Sequence, residues 1–98
     1  MAYDVVVNPK SIKDIQKAID YYDEQQVGLG KKFEGTLNKY LLKLQKNPFF
    51  SIRYDKVHCL PIKKYPFMIH FTIDEKKKEV TIRALFHTSL NPDIWSKR

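Results

Sequence analysis

The sequence predicts an α+β domain: an N-terminal strand, then an antiparallel helical hairpin packed on one face of a twisted, mainly antiparallel sheet of about four to five strands. Three observations lead there. A β-branched run opens the chain, the hydrophobic period of the next forty residues is helical, at about 3.6, and the second half alternates with period 2. With 98 residues, 43% of them hydrophobic and 13% aromatic, there is material for one core and none for a second, so residues 1–98 read as a single domain.

Each element has its own signal. Tyr3-Asp4-Val5-Val6-Val7 has high strand propensity and stops at Asn8-Pro9. Ser11 stands before Ile12, Ile15, Ile19 and Tyr22, spaced 3, 4 and 3, with Asp14 three residues after Ser11 as a capping box, which predicts an amphipathic helix of about four turns. Gly28 and Gly30 interrupt that pattern as a helix–helix turn. It resumes at Leu29, Phe33, Leu37, Tyr40, Leu41 and Leu44 and ends at Asn47-Pro48.

Further on, Phe67, Ile69, Phe71 and Ile73 alternate with Met68, His70 and Thr72. After the loop 74–78, Val80, Ile82, Ala84 and Phe86 alternate with Thr81, Arg83, Leu85 and His87, which predicts a β-hairpin. Ile52-Arg53-Tyr54 and His58-Cys59-Leu60-Pro61-Ile62 read as shorter strands, Pro61 pushing the latter toward an edge or a bulge. Strict alternation sets Phe67, Ile69, Phe71, Val80, Ile82 and Phe86 beneath the helices. It leaves Met68, His70, Thr72, Thr81, Arg83, Leu85 and His87 on the opposite face, a mixed surface suited to meeting a partner.

Eighteen Lys+Arg against eleven Asp+Glu give a net charge of +7, which favours anionic partners such as nucleic acid or an acidic protein. Residues 1–47 hold eight Lys and six acids, a balance of +2, and residues 48–98 hold ten Lys+Arg and five acids, a balance of +5. The strand half is the basic half. Cys59 is the sole cysteine and forms no intrachain disulfide, the opening residues lack a leader pattern, and no apolar run nears the roughly 20 residues that span a bilayer. A cytoplasmic protein outside the membrane is expected.

His70 and His87, on one expected face of adjacent strands, form one candidate site. Two imidazoles titrating near neutrality, with Arg83 and Lys63 to hold a phosphate, are what general acid–base cleavage of RNA requires. The competing reading is two half-buried histidines satisfied by hydrogen bonds. Tyr65, beside Pro66, is a further acid–base candidate. Lys76, Lys77 and Lys78 read as a solvated hairpin tip or as phosphate contacts, and Trp95 as a ring packed back on the sheet edge or a partner contact. His58 and Cys59 are neighbours on a strand and point to opposite faces, so they do not ligate one ion, and Cys59 reads as a small core residue. No metal-binding motif, phosphate loop or dinucleotide fingerprint occurs, so no metal and no cofactor is expected.

The helix pattern Ile12 to Tyr22, the junction Asp23-Glu24-Gln25-Gln26 with Gly28-Leu29-Gly30-Lys31-Lys32-Phe33, the stop Asn47-Pro48, Ile62-x-x-Tyr65-Pro66-Phe67, and the ending Phe86-His87-Thr88-Ser89 with Asn91-Pro92 and Trp95 together resemble the RelE/ParE superfamily. These are toxins of type II toxin–antitoxin systems, plasmid stabilisation proteins among them. The resemblance covers nearly the whole chain. It implies a growth-inhibitory toxin neutralised by a small cognate antitoxin with an acidic segment. The RelE-like branch cuts mRNA on the ribosome, and the ParE-like branch poisons DNA gyrase without being a nuclease. Ribosome-dependent members commonly carry Arg at the position of Met68, where it contacts the scissile phosphate, and many relatives carry Arg at the position of Leu90.

The resemblance therefore implies a ParE-like toxin ahead of a ribosome-dependent mRNA endoribonuclease, with a toxin fold that has lost toxicity as a third reading. A nuclease site would consist of His87, His70, Arg83 and Lys63. Antitoxin or target contacts are expected at Arg53, Arg83, His87, Trp95 and Arg98, with the antitoxin's acidic segment on the basic sheet face.

Overall fold

A computed structural model describes residues 3–49, 52–54 and 57–88, with the backbone alone for 52–54. Trp95 and Arg98 lie outside the described residues, and Arg53 is described only as part of a strand backbone. β1 (Asp4–Val7) leads directly into α1 (Pro9–Gln25). The Asn8-Pro9 pair that stops the strand also starts the helix. The Asn8 side chain accepts from the Lys10 N–H at 2.9 Å, and Pro9 sits in the first turn, where its missing N–H costs nothing. The expected capping box at Ser11 and Asp14 does not form, because the helix is already under way and both residues turn toward the sheet.

α2 (Leu29–Lys46) follows a turn made by two glycines for two reasons. Gly28 has φ 90°, a left-handed conformation that costs glycine little. Gly30 lies against α1, where a Cβ would collide with the Ile19 carbonyl oxygen, and its N–H donates to Asp23 Oδ1 at 2.8 Å. No helix among the described residues is long and apolar enough to cross a membrane.

The sheet adds β2 (Ile52–Tyr54), β3 (Val57–Pro61), β4 (Phe67–Asp74) and β5 (Glu79–His87) in the spatial order β1-β5-β4-β3-β2. β1 runs parallel to β5 and every other pair is antiparallel. β3 is an interior strand, contrary to the edge position that Pro61 suggested. Proline is tolerated because it ends the strand two residues past Cys59, the last that β2 pairs. The helices cover one face, where Phe33, Leu37 and Leu44 of α2 and Ala18 and Tyr22 of α1 meet Leu60, Ile69, Phe71, Val80, Ile82 and Leu85.

Leu85 belongs to that core and Phe86 does not, the reverse of strict alternation. Phe71 pairs with Ile82 and His70 with Ala84, so Arg83 is an extra residue with no partner on β4, a β-bulge. Past the bulge, Ile69 faces Leu85, Met68 faces Phe86 and Phe67 faces His87. One inserted residue moves every later side chain of β5 to the other face. Phe86 is buried away from the helices, edge-on to His70 at 5.0 Å, while Leu85 and His87 lie on the helix side.

Candidate functional site

The bulge separates the two histidines that alternation had placed together. His70 lies on the face away from the helices, across from Cys59 on β3 and Ala84 on β5, and is 1% exposed. Burial lowers its pKa to about 4, so the imidazole is neutral near pH 7. His87 is half-buried on the other face, its ring edge-on to Phe67 at 5.3 Å, and Phe67 in turn packs on Phe33 at 5.6 Å and Tyr22 at 6.2 Å.

Lys63 is exposed in the β3–β4 loop, and its N–H donates to the Tyr40 hydroxyl of α2 at 2.9 Å. Arg83 is exposed and donates from Nε to Thr72 Oγ1 at 3.2 Å, on the face away from the helices. Four residues of strand, about 13 Å, separate it from His87. His70, His87, Arg83 and Lys63 are therefore distributed over two faces and a loop.

The other chemistry-bearing candidates are packed. The Tyr65 ring sits 5.0 Å from Phe33 and 5.3 Å from Tyr22, and Cys59 is 3% exposed, with burial pushing its thiol pKa up and away from a thiolate. His58 stacks on Phe71 at 5.4 Å, while Cys59 is paired with His70, so the two neighbours do point apart.

Around Arg83 the open face forms a shallow groove of about 540 Å³ lined by Thr72, Ile73, Asp74, Glu75, Lys76, Glu79, Thr81 and Arg83. Three carboxylates and two cations make this stretch mixed rather than basic. Among the described residues, the other cations of the strand half lie beside this face, Lys63 and Lys64 in the β3–β4 loop and Lys77 and Lys78 with Lys76 at the hairpin tip.

Sequence reasoning missed an apolar groove on the helix side. Val7, Ile12, Ile15, Ile19, Leu37 and Leu41 line a space of about 310 Å³ between the helices and β1, and Val5, Val7, Leu41 and Leu42 line a second of about 320 Å³ beside it. Ile12 and Leu42 are 56% and 58% exposed, and β1 is an edge strand with Val6 44% exposed. The signal was available: Val5-Val6-Val7 is apolar on both faces of the strand, and the Ile12-Ile15-Ile19 stripe is more than the core uses.

No family model matches the chain, and no curated protein matches it. Solved structures do. A chain of the chromosomal ParDE toxin–antitoxin system of P. aeruginosa superposes with a TM-score of 0.76 at 16% identity, over 88% of this chain and 96% of that one. A mutant of the E. coli toxin RelE in the free state gives 0.70 at 15% identity, over 98% and 93%. The chain has the RelE/ParE toxin fold. A RelBE toxin–antitoxin complex from Mycobacterium tuberculosis agrees, with 0.64 at 14% identity over 89% and 92%. In this toxin fold the apolar groove lies on the helical hairpin and edge strand, and Arg83 projects from the opposite face of the sheet.

Proposed function

We propose that this chain is the cytoplasmic toxin of a type II toxin–antitoxin pair, held inactive by a small cognate antitoxin and acting in the ParE-like manner on DNA gyrase. The observation that carries the toxin reading is the match of nearly the whole chain to nearly the whole of a ParDE chain, at a TM-score of 0.76. The apolar groove supports the antitoxin: about 310 and 320 Å³ of adjoining apolar space beside an edge strand accept an amphipathic segment and an added strand. Arg83 offers a charged contact to an acidic residue of the same antitoxin on the far side of the sheet. The ParE-like branch is supported by Met68 where ribosome-dependent toxins commonly carry Arg, and by the separation of His70, His87, Arg83 and Lys63.

The test is induction of the chain without its neighbour, followed by supercoiling assays with purified protein. Inhibited supercoiling or gyrase-dependent DNA breakage with intact mRNA is expected. Mapped mRNA ends with codon-phased cuts that vanish in His87→Ala would instead establish the RelE-like branch, a second reading supported by the match to RelE over 98% of this chain. Growth unaffected by induction would mark a toxin fold that has lost toxicity. Charge reversal, Arg83→Glu, should weaken the antitoxin complex about tenfold, as loss of a charged interface contact does. Unchanged affinity in a titration would remove Arg83 from the antitoxin contact. Trp95, Arg98, Arg53 and His87 remain proposed contacts to be tested by the same titration.

A further inference from the structure

We propose that Ser11 and Asp14 of α1 are positioning residues for Arg83, a clamp that holds the β5 bulge in the one shape that aims this guanidinium across the open face. The geometry of the clamp stands on its own; its effect on activity rests on the toxin reading above. β1 ends at Val7, level with Ile82, so past that point the backbone groups of β5 that face β1, on either side of the bulged residue, must find other partners. On the near side of Arg83, the Ile82 carbonyl accepts from the Asn8 N–H at 3.0 Å and from the Ser11 hydroxyl at 2.9 Å. On the far side, the Leu85 N–H donates to Asp14 Oδ2 at 3.3 Å. Both groups come from the first turns of one helix, three residues apart and so on one helical face.

Both are polar side chains at positions that face the sheet. Ser11 is fully buried and Asp14 half-buried on the side of α1 that meets the sheet, where an apolar residue would cost no desolvation. What the pair does is fix the backbone on both sides of the bulged residue. Arg83 then leaves the strand toward Thr72, whose hydroxyl takes Nε at 3.2 Å. The terminal guanidinium nitrogens have no acceptor among the described residues and are presented to an incoming anionic group. Without the clamp the bulge can migrate to a neighbouring position, and Arg83 swings away from Thr72.

The measurement is hydrogen exchange by NMR of the Leu85 amide and the Arg83 Nε–H in the full chain, in wild type, Ser11→Ala, Asp14→Ala and Asp14→Asn. Loss of one hydrogen bond should speed exchange at both sites about tenfold in the two alanine variants, while Asp14→Asn, which keeps an acceptor, stays near wild type. Leu44→Ala, a core change on α2 that leaves Ser11 and Asp14 in place, serves as the control for a general loss of stability and should spare the Arg83 signal. Faster exchange at Leu85 with an unmoved Arg83 Nε–H would overturn the proposal, as would an equal response in Leu44→Ala. If Asp14→Ala does not fold, Ser11→Ala decides alone, because Asn8 still holds the Ile82 carbonyl in that variant. Where the wild type arrests growth, Asp14→Ala should lose potency as Arg83→Ala does and the double variant should lose no more; additive losses would overturn the coupling. A wild type that arrests nothing defeats the toxin reading and leaves the exchange result to judge the clamp.

Discussion

β4 and β5 pair along their length and carry the same alternation of apolar and polar residues, but only β4 keeps one phase from end to end. On β4 the helix-side series runs Phe67, Ile69, Phe71, Ile73 without a break. On β5 it runs Val80, Ile82, then Leu85 and His87, because Arg83 is taken up by the bulge. The regular strand supplies a continuous wall for the core. Its irregular neighbour gives up one residue of the ladder, and in return a cation leaves the sheet at a defined place. Regularity builds the core here, and the exception supplies the exposed chemistry.

Substitutions can break or sharpen that contrast. The largest expected effect is Leu85→Asp, which puts a carboxylate into the helix-side core and should cost about 4 kcal/mol or more, leaving little folded protein, whereas Arg83→Asp should cost under about 1 kcal/mol. Equal tolerance of the two in urea unfolding would mean that β5 never changes phase.

Next comes acidity. Buried His70 has a folded pKa of about 4 against an ordinary 6.5, so between those values the unfolded chain binds a proton that the folded chain refuses. Stability is therefore full above about pH 6.5 and falls by on the order of 3 kcal/mol as the pH drops toward 4. His70→Gln should flatten that limb of the pH–stability curve, and a slope unchanged by the substitution would show that other groups set it.

Smaller still is deletion of Arg83, which removes the extra residue while preserving the pairings on either side. The chain should fold with Leu85 still buried, at a cost of about 1–3 kcal/mol for the lost Thr72 and Asp14 contacts. Exposure of Leu85 to a labelling probe in that variant would contradict the register. The smallest effect on stability belongs to Arg83→Ala, within about 0.5 kcal/mol by calorimetry, since its side-chain hydrogen bond among the described residues is a surface one to Thr72.

Much of this architecture could be read from the residues. The change of period announced two helices followed by strands, Gly28 and Gly30 announced the turn, and Phe71 and Ile69 announced the core. The bulge could not be read, because Ile82-Arg83-Ala84-Leu85-Phe86 alternates well enough to pass for regular strand and Ala84 fits either face. The groups that hold it in place, Ser11 and Asp14, are also good helix-start residues, and local pattern therefore assigned them to capping when their partners lie 71 residues away. Residue types offered His70, His87, Arg83 and Lys63 as one candidate site, but grouping them depended on a register that one residue shifts. The apolar groove stayed hidden because a stripe such as Ile12-Ile15-Ile19 looks the same whether the chain covers it or leaves it for another molecule.

The parallel pairing of β1 with β5 joins Asp4 to Glu79 and Val7 to Ile82. Contacts of such long sequence separation form late, since the intervening chain must be made and gathered first. On the ribosome β1, α1 and α2 emerge well before their sheet partner, and the helical hairpin has nothing to pack on until β4 and β5 have cleared the exit tunnel. During that interval the apolar face of the hairpin is open to any partner already at hand, so a partner made ahead of this chain would meet it before the sheet closes. The order in which this chain and any such partner are synthesised then becomes a variable with a physical consequence, written into which strand sits beside which.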